Sequence, residues 1–244
     1  MSRPLVISHA ACAGHAPENT LAGLRLALHM GADAIEVDVH LSADGIPILM
    51  HDDSVDRTTD GRGTVASLTL AELRKLDAGA RSPFEAFRGQ KVPTLTEALE
   101  LTRGRALLII EIKPPDIEEV VLEVVRQTGA LDWAMIWSFH PSVVGEVRRR
   151  EPRLPAGLLT HSLSDAIAQQ ALELGAQGTG VYFQNLTEEL VRLAHRKALA
   201  VHAWTADRPP DMRRLAAAGV DGIVTNFPDR ARALLRSFGA SWPR

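Results

Sequence analysis

The 244-residue sequence is poor in several things, and each shortage removes a class of protein. It holds one cysteine, Cys12, so no disulfide can form within the chain, and a cytoplasmic setting is the expectation. With no base partner in view, that thiol is read as packing. Neither sign of charge dominates: 27 Lys and Arg stand against 30 Asp and Glu, a net charge of −3. That balance leaves no electrostatic footprint for nucleic acid or an anionic membrane. No apolar run reaches the roughly 18 residues that a membrane span requires. The opening Met1-Ser2-Arg3-Pro4-Leu5-Val6-Ile7-Ser8 lacks the long apolar stretch and small-residue cleavage site of a signal peptide. No Gly-x-Gly-x-x-Gly follows a strand-like run, which counts against a dinucleotide fold. Linkers, low-complexity segments and tight repeats are absent as well.

What is present is a regular beat. Apolar residues make up 45 % of the chain, enough for a sizeable core. Strand-like runs fall at Leu5–His9, Ile35–His40, Ala106–Glu111, Trp133–Ser138, Leu154–Leu159, Thr179–Phe183, Leu199–Trp204 and Asp221–Thr225. Helical patterns alternate with them, the first opening at Pro17-Glu18-Asn19-Thr20 with Asn19 as its expected cap. Strands starting roughly 20–30 residues apart with helices between them indicate right-handed βαβ units and a parallel sheet. Eight such units predict an α/β fold, a (β/α)8 TIM barrel, over residues 1–244 as one domain. An open doubly wound sheet is the runner-up. Residues 52–92 are polar and turn-rich, too long for a plain connection, and are read as a small insertion over the barrel mouth.

The second strand carries an extension. Ile35, Val37 and Val39 alternate with Glu36, Asp38 and His40, so one face is apolar and the other holds two carboxylates and an imidazole. Asp44-Gly45 signals a β-hairpin, with Ile46–His51 as the returning arm. A loop of Asp44-Gly45 sets Asp38 opposite His51; a loop of Ala43-Asp44 sets Glu36 there instead. Either register brings His51 beside an acid. The plain alternative is an edge hairpin with a polar solvent face.

Polar residues recur where strands end, and a TIM barrel gathers those ends at one mouth. Glu36, Asp38 and Glu111 supply three oxygen donors from two adjacent strands, which suits a hard divalent cation, Mg²⁺ or Ca²⁺, better than zinc. His9 and His51 flank that position, and Lys113 adds a positive charge suited to an anion. Such a set fits phosphodiester chemistry: charge on the phosphoryl oxygens is offset, one histidine takes a proton and the other gives one. Plainer roles exist for each residue, since strand-end carboxylates often cap helices and Glu111 can pair with Lys113. His15, His29, His161, His195 and His202 are read as surface or packing residues.

These motifs together resemble the glycerophosphodiester phosphodiesterases, in their short bacterial cytoplasmic form. The matching stretches are His9 with Ala16-Pro17-Glu18-Asn19-Thr20, Glu36-Val37-Asp38-Val39, Asp44-Gly45-Ile46-Pro47, His51-Asp52, Asp56-Arg57-Thr58-Thr59-Asp60-Gly61-Arg62-Gly63, Val92-Pro93-Thr94-Leu95, Glu111-Ile112-Lys113, Ala203-Trp204-Thr205 and Gly219 to Asn226. The resemblance implies hydrolysis of glycerophosphodiesters to glycerol 3-phosphate and an alcohol. It implies Glu36, Asp38 and Glu111 as ligands of one divalent cation and His9 and His51 as the acid/base pair. Lys113 would contact phosphate, and Phe139 and Trp204 would pack the glycerol moiety. The implied partner is a small-molecule glycerophosphodiester, with no nucleic acid and no membrane span, and a homo-oligomer is an allowed state.

One departure stands out. The family's first motif reads His-Arg-Gly, whereas this chain reads His9-Ala10-Ala11. An arginine there would grip phosphate with a fork of donors. Its loss removes roughly 1.5–3 kcal/mol, about ten- to a hundredfold in rate or affinity. His15, Arg57 and Arg62 are the nearby candidates to restore the charge. The alternatives to an ordinary glycerophosphodiesterase are therefore a hydrolase of a related phosphodiester or an impaired metal- or phosphate-binding protein.

Overall fold

The computed structural model describes residues 3–240, with side chains through 236; residues 1–2 and 241–244 of the span assigned from sequence lie outside it. Its nine strands are β1 (Leu5–Ser8), β2 (Ala34–Leu41), β3 (Pro47–Leu49), β4 (Leu107–Ile112), β5 (Ala134–Ser138), β6 (Ala156–Thr160), β7 (Gly178–Tyr182), β8 (Ala200–Trp204) and β9 (Gly222–Thr225). The order is β1-β9-β8-β7-β6-β5-β4-β2-β3, and β1 also pairs with β2. That last pairing, Ile7 with Ala34, closes eight parallel strands into a barrel and leaves β3 as an antiparallel addition on β2. The expected TIM barrel is thus the fold. Closure also removes the plain alternative for β2: its acidic face looks into the barrel, not into solvent.

The helices are α1 (Leu21–His29), α2 (Leu70–Leu73), α3 (Leu95–Thr102), α4 (Glu118–Gln127), α5 (Pro141–Arg150), α6 (Asp165–Glu173), α7 (Glu188–Arg196), α8 (Pro209–Ala218) and α9 (Pro228–Ala240). Three apolar clusters result from this arrangement. Ile35, Val37, Val39 and their counterparts on other strands pack outward against the helices. Ile7, Ala34, Ile109, Trp137, Leu159 and Val224 fill the barrel interior. Trp137 occupies so much of that space that a Cβ on Gly157 would sit 2.9 Å from its ring. Ile48, Met50, Val55, Val65, Leu73, Ala78 and Val92 form a third, separate cluster under the irregular excursion between β3 and α3.

Two local expectations need correction. The hairpin turns through three residues, Ala43 to Gly45: Leu41 pairs with Pro47, Ser42 N–H donates to Ile46 O (3.0 Å), and Gly45 takes φ +77°. The Asp44 carboxylate accounts for the longer turn, because it accepts from Ser42 Oγ (2.6 Å) and from Leu70 N at the start of α2 (2.9 Å). In this register Met50, not His51, meets Asp38, and His51 lies beyond β3 in a loop. The cap of α1 is Thr20, whose Oγ1 accepts from Gly23 N (3.1 Å). Asn19 stands at φ +53° with its side chain committed elsewhere.

Candidate active site

The acidic wall of the mouth is set by strand register. Asp38 and Glu111 are direct partners across β2 and β4, and Glu36 lies two residues earlier on the same face as Asp38. One oxygen from each of Glu36, Asp38 and Glu111 lies within 4.8 Å of the others. Glu36 and Asp38 are 2 % and 1 % exposed. Glu36 Oε2 accepts from Ala10 N (2.8 Å), while its Oε1 is buried with no partner. Asn19 clamps Asp38 from two sides, donating Nδ2 to Oδ2 (2.7 Å) and accepting from the Asp38 N–H at Oδ1 (3.0 Å). Lys113 Nζ reaches Glu111 Oε1 (2.7 Å) and Asp38 Oδ1 (3.2 Å).

The electrostatics follow from this crowding. Burial, reinforced by the charges of Asp38 and Glu111, pushes the Glu36 carboxyl well above its ordinary range. Burial and then Asp38 raise Glu111, against the opposing pull of Lys113 and His51. Burial would lower Lys113, but the two carboxylates outweigh it and hold the ammonium above the usual lysine range. Three acids in dry space and one orphaned buried oxygen fit a hard divalent cation with oxygen ligands.

The two histidines are held differently. His9 Nδ1 meets Asn226 Oδ1 at 2.8 Å. His51 Nδ1 meets the Asp52 carboxylate at 2.8 Å. Arg57 grips Asp52 through Nε (2.7 Å) and forks onto Glu18 through Nη2 (2.6 Å) and Nη1 (2.9 Å). The Arg57 guanidinium brings the Asp52 carboxyl down to about 2, so the partner of His51 is an anion. His40 is half-buried, and its Nε2 approaches His51 O at 3.3 Å.

The opposite wall is aromatic. Phe139 follows β5, Trp204 ends β8, and their rings meet edge to face at 5.5 Å. His161, given no role from the sequence, stacks on Phe139 (5.4 Å) and meets Trp204 edge-on (5.2 Å). Tyr182, at the end of β7, lies 5.4 Å from Trp204. Both belonged to a legible signal, since polar or aromatic residues at the C-terminal ends of parallel strands face the mouth. Asn226, directly after β9, shared that signal, whereas Asn19 and Asp207 lie away from the strand ends and nothing local ties them to Asp38 and Asn226.

Two of the three candidates for the missing guanidinium are committed elsewhere. Arg57 is spent on Asp52 and Glu18, His15 pairs with Asp229 at 2.8 Å, and Arg62 lies exposed with no partner among the described residues. Ala10 and Ala11 hold φ of +43° and +69°, a region that costs an L-residue roughly 1–2 kcal/mol. Cys12 is buried, and burial pushes its thiol up to about 11, which fits packing.

Residues 9–230 match the glycerophosphoryl diester phosphodiesterase family. A glycerophosphodiester phosphodiesterase from Caldanaerobacter subterraneus subsp. tengcongensis is 37 % identical over 243 residues, covering 97 % of this chain and 100 % of the relative. Among solved structures, an Oleispira antarctica phosphodiesterase in complex with the product sn-glycerol-3-phosphate superimposes with a TM-score of 0.91 at 29 % identity, over 96 % of this chain and 97 % of the other. Glycerophosphodiester phosphodiesterase from Agrobacterium tumefaciens gives 0.82 at 30 % identity, over 96 % and 100 % of the two chains.

Proposed function

Because the chain belongs to the glycerophosphoryl diester phosphodiesterase family, a family of phosphoric diester hydrolases, we propose that it hydrolyses a glycerophosphodiester to sn-glycerol 3-phosphate and an alcohol. The observation that carries this reading is the triad Glu36, Asp38 and Glu111 with an unpartnered Glu36 oxygen, and two anchored histidines, His9 and His51, accompany it. Those three carboxylates would hold one divalent cation, Mg²⁺ or Ca²⁺, which when bound supplies positive charge to the phosphoryl oxygens. Lys113, already beside two of the acids, adds a second positive charge on that side. His9 and His51 share the proton traffic. One accepts a proton from the attacking water as the new P–O bond forms; the other donates a proton to the alkoxide as the old P–O bond breaks. Phe139 and Trp204 pack the carbon side of the glycerol moiety.

The whole barrel acts as one unit, residues 1–244, with residues 52–92 as an insertion that follows directly on His51 and carries Asp52 and Arg57. A cytoplasmic setting rests on the single, buried cysteine. Among the described residues no helix is long and apolar enough to cross a membrane.

The test is release of glycerol 3-phosphate from glycerophosphocholine by purified protein with Mg²⁺, with Ca²⁺ and with EDTA. Metal-dependent release is expected. No release with either metal, from protein shown to be folded, would overturn glycerophosphocholine hydrolysis and send the search to other phosphodiesters.

A further inference from the structure

The geometry points to Asp207 as a positioning residue that sets the tautomer of His9 through the Asn226 side chain. This rests on the reading of His9 and His51 as the proton carriers, with His9 as the one that accepts.

The chain of contacts leaves one arrangement. Asp207 lies in the connection from β8 to α8, and Asn226 follows β9. Asp207 Oδ1 accepts from Asn226 N (2.8 Å) and from Thr225 Oγ1 (3.0 Å). Asp207 Oδ2 faces the Asn226 amide group at 2.7 Å. A carboxylate only accepts, so the amide must turn its NH₂ toward Asp207. Its Oδ1 then faces His9 Nδ1 at 2.8 Å and accepts a proton from it. His9 therefore carries its hydrogen on Nδ1 and leaves Nε2 as the ring nitrogen open to the reaction. The His9 backbone is tied to the same place, donating N–H to Thr225 O (2.9 Å).

Removing Asp207 frees the amide to rotate. With NH₂ turned to the ring, Nδ1 must accept, the hydrogen moves to Nε2, and the nitrogen that should take a proton is already occupied. His51 has no such vulnerability, because its partner Asp52 is itself a carboxylate that cannot be reversed.

The experiment compares the full-length wild type with Asp207→Ala and Asp207→Asn. Ring ¹⁵N shifts of His9, read where the imidazole is neutral, report the tautomer without substrate. The wild type is expected to show a protonated Nδ1 and a bare Nε2, and Asp207→Ala a mixture of both tautomers. With glycerophosphocholine, kcat should fall about ten- to a hundredfold in Asp207→Ala, with KM and Mg²⁺ affinity within about twofold. Asp207→Asn, which keeps one acceptor oxygen, should recover part of that loss. A wild-type His9 bearing its hydrogen on Nε2 overturns the proposal even if neither variant folds. Unchanged tautomer or unchanged kcat in folded Asp207→Ala overturns it equally. Lack of turnover in the wild type would instead count against the phosphodiesterase reading, and the ¹⁵N shifts would still decide this one.

Discussion

The two walls of the barrel mouth are built by opposite means. The β2–β4 wall buries Glu36 and Asp38 almost completely, and its spacing comes from strand register, a Lys113 bridge and the Asn19 clamp. The facing wall, Phe139, His161, Tyr182 and Trp204, sits at strand ends, and Phe139 remains 38 % exposed. Charge must be fixed before the ligand arrives, because reorganising carboxylates in a dry site is expensive. Apolar packing tolerates adjustment, so it can be left to rings that lean on one another. Substitutions on the acidic wall should therefore be far more damaging than substitutions on the aromatic one.

The largest effect is expected from Glu36→Ala, Asp38→Ala or Glu111→Ala. Each should lower turnover by about a thousandfold or more and remove Mg²⁺ binding in calorimetry. Full activity with full metal binding in Glu111→Ala would take that residue out of the site. His51→Ala comes next, with kcat down about a hundred- to ten-thousandfold while metal affinity stays; unchanged turnover would end its assignment. Trp204→Ala, on the aromatic wall, should act mainly on KM, raising it about tenfold. A loss of kcat as large as that of His51→Ala would erase the contrast between the walls.

The smallest effect is on stability and depends on pH. Glu36 and Glu111 have folded pKa values raised above the ordinary 4.5. They bind more protons folded than unfolded, so metal-free stability falls as pH rises through 4.5 toward those raised values. A cation needs the ionised forms and offsets that loss. Saturation at a hundred times Kd contributes about 2.7 kcal/mol, roughly 5–10 °C in a domain of this size. The melting-temperature gain from a fixed Mg²⁺ concentration should therefore be larger at pH 7 than at pH 5. An equal gain at both would indicate that these acids are not the ligands.

The barrel itself was legible. Its strands are short apolar runs at even spacing, and burial on both faces leaves such runs little else to be. The acid triad was legible too, since alternation along one strand puts Glu36 and Asp38 on one face whatever surrounds them. The hairpin register was not, because Asp44 answers to Leu70, 26 residues away, and a one-residue slip moves His51 off the pairing line. Asn19 looked like a cap by local rules and became the clamp on Asp38 once α1 met β2. His161 looked dispensable until the barrel brought β6 beside Phe139 and Trp204.

Local pattern thus settled the elements, their order and which residue types could meet at the mouth, because side-chain periodicity is a property of each segment alone. Barrel closure supplied the orientation of the working atoms. The contact of His9 with Asn226 spans 217 positions and arises only where the ends of the first and last strands converge, while the Asp207 grip on that amide forms between the ends of the neighbouring β8 and β9. Hydrogen-bond direction is set by such partners in space, and no stretch of sequence contains both.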